Sequence, residues 1–228
     1  MRTRGSMIRV IIIHGRAKDC PMKSFPERRY PSAAEYLNAY GTEVTAAIAS
    51  VGRDELDRAA ALLVACLERD ATIFACGNGG SAAIANHLSC DHQKGIHKGT
   101  HYRPRVVSLS SNVELITAVS NDIGYAESFA HPLFLHGRSG DLLITISSSG
   151  NSENIVRALS VAESLGMTRI TFTGFDGGRS QHMADANIHV ASHNYGVVED
   201  VHQACMHVLA QYVRHAAMSA ELIRDSVF

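Results

Sequence analysis

Cys76-Gly77-Asn78-Gly79-Gly80-Ser81, preceded by the apolar run Thr72–Cys76 and followed by a helical pattern that carries His87 and Asp91, decides the reading of this chain. Its glycines let the backbone approach a ligand with no Cβ in the way, Ser81 adds a hydroxyl, and the helix that follows points free N–H groups at an anion. His87 and Asp91 are four positions apart, so they project from one helix face about 40° apart. The first ligand class is therefore a phosphorylated small molecule. The loop is neither G-x-x-x-x-G-K-[ST] nor G-x-G-x-x-G, which argues against a nucleoside triphosphatase and a standard dinucleotide site. Taken alone it is equally a tight strand-to-helix turn.

A second loop supplies support. Ser147-Ser148-Ser149-Gly150-Asn151-Ser152 directly follows Asp141–Ile146, a short apolar run of the kind found in buried parallel strands. Helical periodicity then runs through Ile155, Ala158, Leu159 and Ala162. One or two serines there would serve as helix caps, but four at a strand's carboxyl end, opening a helix, add hydroxyl and backbone donors for an anion. Two such loops in one sheet suggest a clamp for a phosphosugar.

The rest of the chain organises around these loops. Between Pro31 and Asp70 the pattern is helical twice, with one stripe through Ala33, Leu37, Val44, Ala47 and Ile48 and another through Leu56, Ala59, Leu63 and Leu67. Gly52 and Asp54 mark the break of an antiparallel hairpin, whose broad apolar surface suggests packing against a partner subunit. Strands are expected at Thr72–Cys76, Val106–Leu109, Leu142–Ile146, Ile170–Thr173 and Ile188–Ala191. A helix capped by Ser111, a short one near Ser180–Ala184 and a long one over Val198–Met218 complete the pattern. The expected fold is α/β: a three-layer, doubly wound sheet of five parallel strands, with an N-terminal helical hairpin and a long C-terminal helix. It forms one domain over 31–228, behind an irregular arm at 1–30. Within that arm Met1–Ser6 reads as an added leader, with Met7 or Met22 as the natural start.

Composition narrows the partners. With 228 residues, 21 basic and 22 acidic side chains and a net charge of −1, the chain has no basic stripe for nucleic acid. Tryptophan is absent, which weighs against a base-stacking platform. No apolar stretch approaches the roughly 20 residues that cross a bilayer, and Val10–Ile13 is too short for a signal-peptide core. Cys20, Cys66, Cys76, Cys90 and Cys205 lack paired spacing and read as reduced packing residues in a reducing compartment.

The closing helix opens Glu199-Asp200-Val201-His202-Gln203 and reaches His207 amid apolar neighbours. A solitary histidine there is more often a core residue, but with His87, Asp91 and Glu199 it makes a set of two imidazoles and two carboxylates suited to a divalent metal. Glu199 and His207 are separated by about 12 Å of ideal helix, so their side chains must converge to share one ion. His92, Asp200 and His202 are read as surface or supporting groups.

These residues resemble the sugar isomerase (SIS) domain proteins, and within them the phosphoheptose isomerases. The likeness runs from about Ala34 to Met218 and is carried by CGNGGS with a histidine six residues beyond its serine, Ser120–Tyr125 (SNDIGY), the serine loop at 147–152 and the Glu199/His207 helix. It implies sugar-phosphate contacts at Asn78, Gly79, Gly80, Ser81, Asn121, Asp122, Ser147, Ser149 and Ser152. It places metal ligands at His87, Asp91, Glu199 and His207, holding one zinc per subunit.

The chain departs from the family where Asp91 replaces a glutamate, where Glu199 replaces a glutamine, and where Asn194-Tyr195-Gly196 stands in place of a loop aspartate. The implied reaction converts sedoheptulose 7-phosphate to D-glycero-D-manno-heptose 7-phosphate through an enediolate. Asp91 is the base with Glu199 as the alternative, and His207 is the proton donor. The implied setting is a cytoplasmic homotetramer with sites between subunits, serving lipopolysaccharide or another surface polysaccharide, with no nucleic-acid or membrane partner. Two alternatives stay open: a non-catalytic SIS adaptor or sugar-phosphate sensor, and an isomerase of another ketose phosphate.

Overall fold

The computed structural model describes residues 25–228. The leader, the alternative starts Met7 and Met22, the Val10–Ile13 run and Cys20 lie outside them. Residues 25–30 carry no helix or strand, but Phe25 and Tyr30 pack against Tyr36, with ring centroids 5.2 Å away in each case. The carbonyl of Phe25 also accepts a hydrogen bond from the side chain of Asn194 at 3.1 Å, tying this stretch to the start of the last long helix.

Helices α1 (Ala33–Ser50) and α2 (Arg53–Glu68) form the expected pair. Of the α1 stripe only Ala47 is buried, and Leu37 and Ile48 stand exposed. In α2, Ala59, Leu63, Cys66 and Leu67 are buried against the sheet layer.

Five strands follow: β1 (Thr72–Gly77), β2 (Arg105–Ser108), β3 (Leu142–Ser147), β4 (Thr168–Thr173) and β5 (Ala186–His189). All pair in parallel, in the order β2-β1-β3-β4-β5. The residues of β3 are buried on both faces, which explains why Leu142–Ser147 reads as a continuous apolar run rather than an alternating one. The observed β5 begins two residues before the expected Ile188, because Ala186 already pairs with Ile170.

Helices cover both faces. On one side α2, α3 (Gly80–Cys90) and α7 (Tyr195–Ala216) pack around Ile73, Ala75, Ile144 and Ile146. On the other, α5 (Ala130–His136) and α6 (Glu153–Ser164) bury Leu133, Ile155, Ala158, Leu159 and Ala162 against Phe74, Cys76 and Leu143. Full burial of each leucine or isoleucine contributes about 1.5–3 kcal/mol, so these two layers hold the sheet in place under the loops.

The helix α4 (Val113–Asp122) is capped by Asn112, whose side chain accepts from Leu115 N, and not by the expected Ser111. Ser111 instead donates to the Ser108 carbonyl and belongs to the turn after β2. The last helix, α8 (Ala220–Arg224), was not foreseen.

The strand order changes direction at the boundary of β1 and β3, since β1 leads outward to β2 while β3 leads on to β4. The crevice beyond the carboxyl ends of such strands is where open α/β sheets bind ligands. The glycine loop leaves β1 and the serine loop leaves β3, so both flank it.

Candidate active site

The serine loop is set by backbone contacts that only glycine permits. Gly150 has φ +62° and its carbonyl accepts from both the amide N–H and the hydroxyl of Ser180, at 3.0 and 2.5 Å. A Cβ on Gly150 would run into the carbonyl of Gly177. Gly150→Ala is therefore expected to lower stability by about 2–4 kcal/mol, combining the left-handed backbone with overpacking. Gly41, with open space around it inside α1, is the control: its change to alanine should stabilise by about 0.5–1 kcal/mol. Urea midpoints of the two variants check both values.

Serines 147, 148, 149 and 152 line a cavity of about 130 Å³ together with Asn78, Ser81, Ile146, Tyr195 and Glu199. Ser147 Oγ accepts from Gly150 N at 3.2 Å and Ser149 Oγ from Asn151 N at 3.3 Å, so the loop holds itself open through its own hydroxyls. Ser152 is the N-cap residue of α6, yet its side chain makes no capping bond. That hydroxyl, the α6 N-terminus and the buried Ser148 hydroxyl, which has no partner among the described residues, remain for a ligand.

Asn78 is fixed from below by a reciprocal amide pair with the buried Asn154, at 2.9 Å both ways, and accepts from Tyr125 at 2.7 Å. Sequence reasoning gave no role to Asn154, Tyr125 or Tyr195, and counted Ser148 only as one of the loop's four serine donors. Gly79 (φ +54°) and Gly80 turn the chain into α3, and the Glu199 carboxylate lies where a Cβ on Gly80 would stand, so any side chain there would displace it. Asn121 and Asp122 end α4 on the exposed surface, bonded to each other at 2.7 Å, and do not line this cavity.

Helices α3 and α7 then run alongside each other away from the loops. Gly80 meets Glu199, His87 meets Gln203, and Asp91 meets His207. Ten residues of rise, about 15 Å, separate Ser81 from Asp91. At the far end His87, Asp91 and His207 converge, each offering a ligand atom within 4.8 Å of the others. Asp91 places one oxygen 3.4 Å from His87 Nε2 and the other 3.3 Å from His207 Nε2. Two imidazoles and a carboxylate are the donor set of a catalytic divalent-metal site with one position open.

Glu199 lies outside this cluster, at the serine cavity, where burial and then the neighbouring Asp200 push its carboxyl pKa up. Asp200 itself accepts from Tyr40 at 2.7 Å. The place near the imidazoles expected for Glu199 is taken by Gln203, whose amide nitrogen is 2.8 Å from His87 Nδ1 and 3.0 Å from His207 Nε2. The signal for Gln203 was available in its spacing, four residues before His207 on the same face.

Of the two readings left open for His92 and His202, surface or supporting group, full burial removes the surface one. Burial pushes each imidazole down to about 4, so both are neutral core residues at physiological pH. Of the cysteines, Cys66, Cys76 and Cys205 are buried free thiols, while Cys90 is exposed. No helix among the described residues is long and apolar enough to cross a membrane.

Residues 35–174 match the SIS domain. The phosphoheptose isomerase of Shewanella denitrificans is 36% identical over 165 residues, covering 70% of this chain and 83% of the relative. The structure of the phosphoheptose isomerase from Neisseria gonorrhoeae superposes with a TM-score of 0.74 at 29% identity, over 81% of this chain and 100% of that one. That of a phosphoheptose isomerase from Francisella tularensis gives 0.74 at 30% identity, over 81% and 99%. With its glycine and serine loops flanking the sheet crevice and its His–Asp–His cluster between α3 and α7, this chain belongs to the phosphoheptose isomerase family of SIS-domain proteins.

Proposed function

We propose that this protein is an aldose–ketose isomerase that converts sedoheptulose 7-phosphate to D-glycero-D-manno-heptose 7-phosphate. The observation that carries this reading is the His87/Asp91/His207 cluster placed along the same two helices as the serine cavity. A sensor or adaptor needs the cavity and has no use for the cluster.

In this reading the phosphate rests on Ser81, Ser147, Ser149 and Ser152 and on the N–H groups of Gly79 and Gly80, with Asn121 and Asp122 reaching the sugar from a neighbouring subunit of a homotetramer. The exposed apolar residues Leu37 and Ile48 of α1 supply surface for that assembly. His87, Asp91 and His207 would hold one zinc per subunit, beside Gln203, and zinc bound there supplies Lewis acidity to the sugar carbonyl.

Asp91 takes the proton from the carbon next to the carbonyl, and His207, facing the same carboxylate, moves a proton at the oxygen. Glu199, expected from the sequence as a fourth ligand and an alternative base, is assigned to the phosphate end. Burial and then the neighbouring Asp200 push its carboxyl pKa up there. The setting is cytoplasmic synthesis of activated heptose for a surface polysaccharide.

The test is a substrate panel. Sedoheptulose 7-phosphate should turn over well ahead of fructose 6-phosphate and ribulose 5-phosphate, and preference for one of the shorter sugars would reassign the substrate. Turnover of none of them would favour the sensor reading. Ser149→Ala and Ser152→Ala should each raise KM about 10- to 100-fold with the fold intact, because each removes a charge-assisted donor of roughly 1.5–3 kcal/mol. Steady-state kinetics beside thermal melts check this, and unchanged KM in both would place the phosphate elsewhere.

A further inference from the structure

Past Asp91 the two helices open a second cavity, of about 300 Å³, walled by Asp91, Lys94, Lys98, Gln211, Arg214 and Phe228 among others. It lies at the opposite end of α3 from the serine loop, and its polar lining is of a different kind, dominated by cations. Arg214 is the informative residue. It is only 4% exposed, yet no carboxylate forms an ion pair with it among the described residues, and the same holds for Lys94 and Lys98.

The guanidinium is held by neutral groups. Its Nε donates to the Lys98 carbonyl at 2.9 Å, its Nη1 donates to the Val227 carbonyl at 3.2 Å, and the Phe228 ring centroid lies 4.4 Å from Cζ. Its Nη2 is buried and has no hydrogen-bond partner among the described residues. Carbonyls and a ring orient a guanidinium without cancelling its charge, and a buried, unpaired ion carries a large desolvation penalty. Asp91, the single side-chain carboxylate in the wall, is already engaged with His87 and His207, and the terminal carboxylate of Phe228 forms no ion pair with Arg214. The fixed arginine thus keeps one unpartnered donor beside two lysines, and among the described residues no carboxylate is ion-paired with it.

We propose that this cavity binds the phosphate group of a small molecule, which accepts from Nη2 of Arg214 and is flanked by Lys94 and Lys98. Three cations converge on a space at the small end of ligand pockets, which suits a dianion better than a monocarboxylate. The planar fork of arginine, already ordered by its carbonyl partners, loses little freedom on binding. The occupant is a second anion, separate from the phosphate in the serine cavity.

The probe is inorganic phosphate, measured by equilibrium dialysis on the full chain. Wild type should bind two phosphates per chain, and the Ser149→Ala/Ser152→Ala double variant should keep the second site. In that serine background, Lys94→Ala/Lys98→Ala should weaken the remaining site at least about tenfold. The lysines are exposed, so this variant folds whether or not Arg214 variants do. One phosphate per chain in wild type, or unchanged binding after loss of both lysines, overturns the proposal. So does an Arg214→Gln protein whose sedimentation mass falls while its phosphate binding is unchanged, because the counter-ion would then be a carboxylate from a second copy of the chain.

Discussion

Asp91→Asn is expected to lower isomerisation by about 10²–10⁴-fold while the protein still binds the phosphosugar. Asparagine is nearly isosteric and keeps an oxygen toward one imidazole, but it has no basic lone pair to accept a proton from carbon. The 15 Å or so of helix between Asp91 and Ser81 isolates the serine cavity from the change, so binding should persist. Glu199→Gln is the matched comparison. It restores the residue type that the sequence resemblance leads one to expect, alters a carboxyl at the serine cavity, and should keep most of the turnover. An active Asp91→Asn with an inactive Glu199→Gln would move the base to Glu199.

His87→Ala should remove metal and activity together. With His87 gone, His207 and Asp91 are left as two donors, too few to hold a divalent ion against chelators, and Gln203 loses one of its two ring partners. Elemental analysis of wild type should give about one zinc per chain, and the variant should give almost none. Near-native far-UV circular dichroism is expected, because His87 is half-exposed. Full activity in metal-free wild type would remove the metal from the reaction.

Most of the fold was legible because each loop and strand carried a local signature. Thr72–Cys76 and Leu142–Ile146 read as buried parallel strands from continuous β-branched and apolar residues, and both loops read as strand ends from glycine and serine content. Less was legible where tertiary packing decides. Ser111 and Asn112 are both good caps, and only the turn after β2 determines which one is free to cap α4.

His202 falls on the Val198–Val201–Cys205–Leu209 stripe of α7, so its burial was readable from helical spacing and was overridden by its polarity. His92 was not readable in this way. A π-turn at Asp91–Gly95 widens the helix and shifts which side chains face inward after α3. The cluster itself was half legible: His87, Asp91 and His207 were found through motif spacing. The eight-residue gap from Glu199 to His207 already signalled that Glu199 and His207 point to different ends of the site.

The most direct measurement of the central claim is proton NMR of sedoheptulose 7-phosphate incubated with metal-replete protein in D₂O. The account predicts that an aldose 7-phosphate appears with solvent deuterium at C2, at a rate that falls with Asp91→Asn. A ketose that stays unconverted, with no exchange of the protons next to its carbonyl, would contradict it.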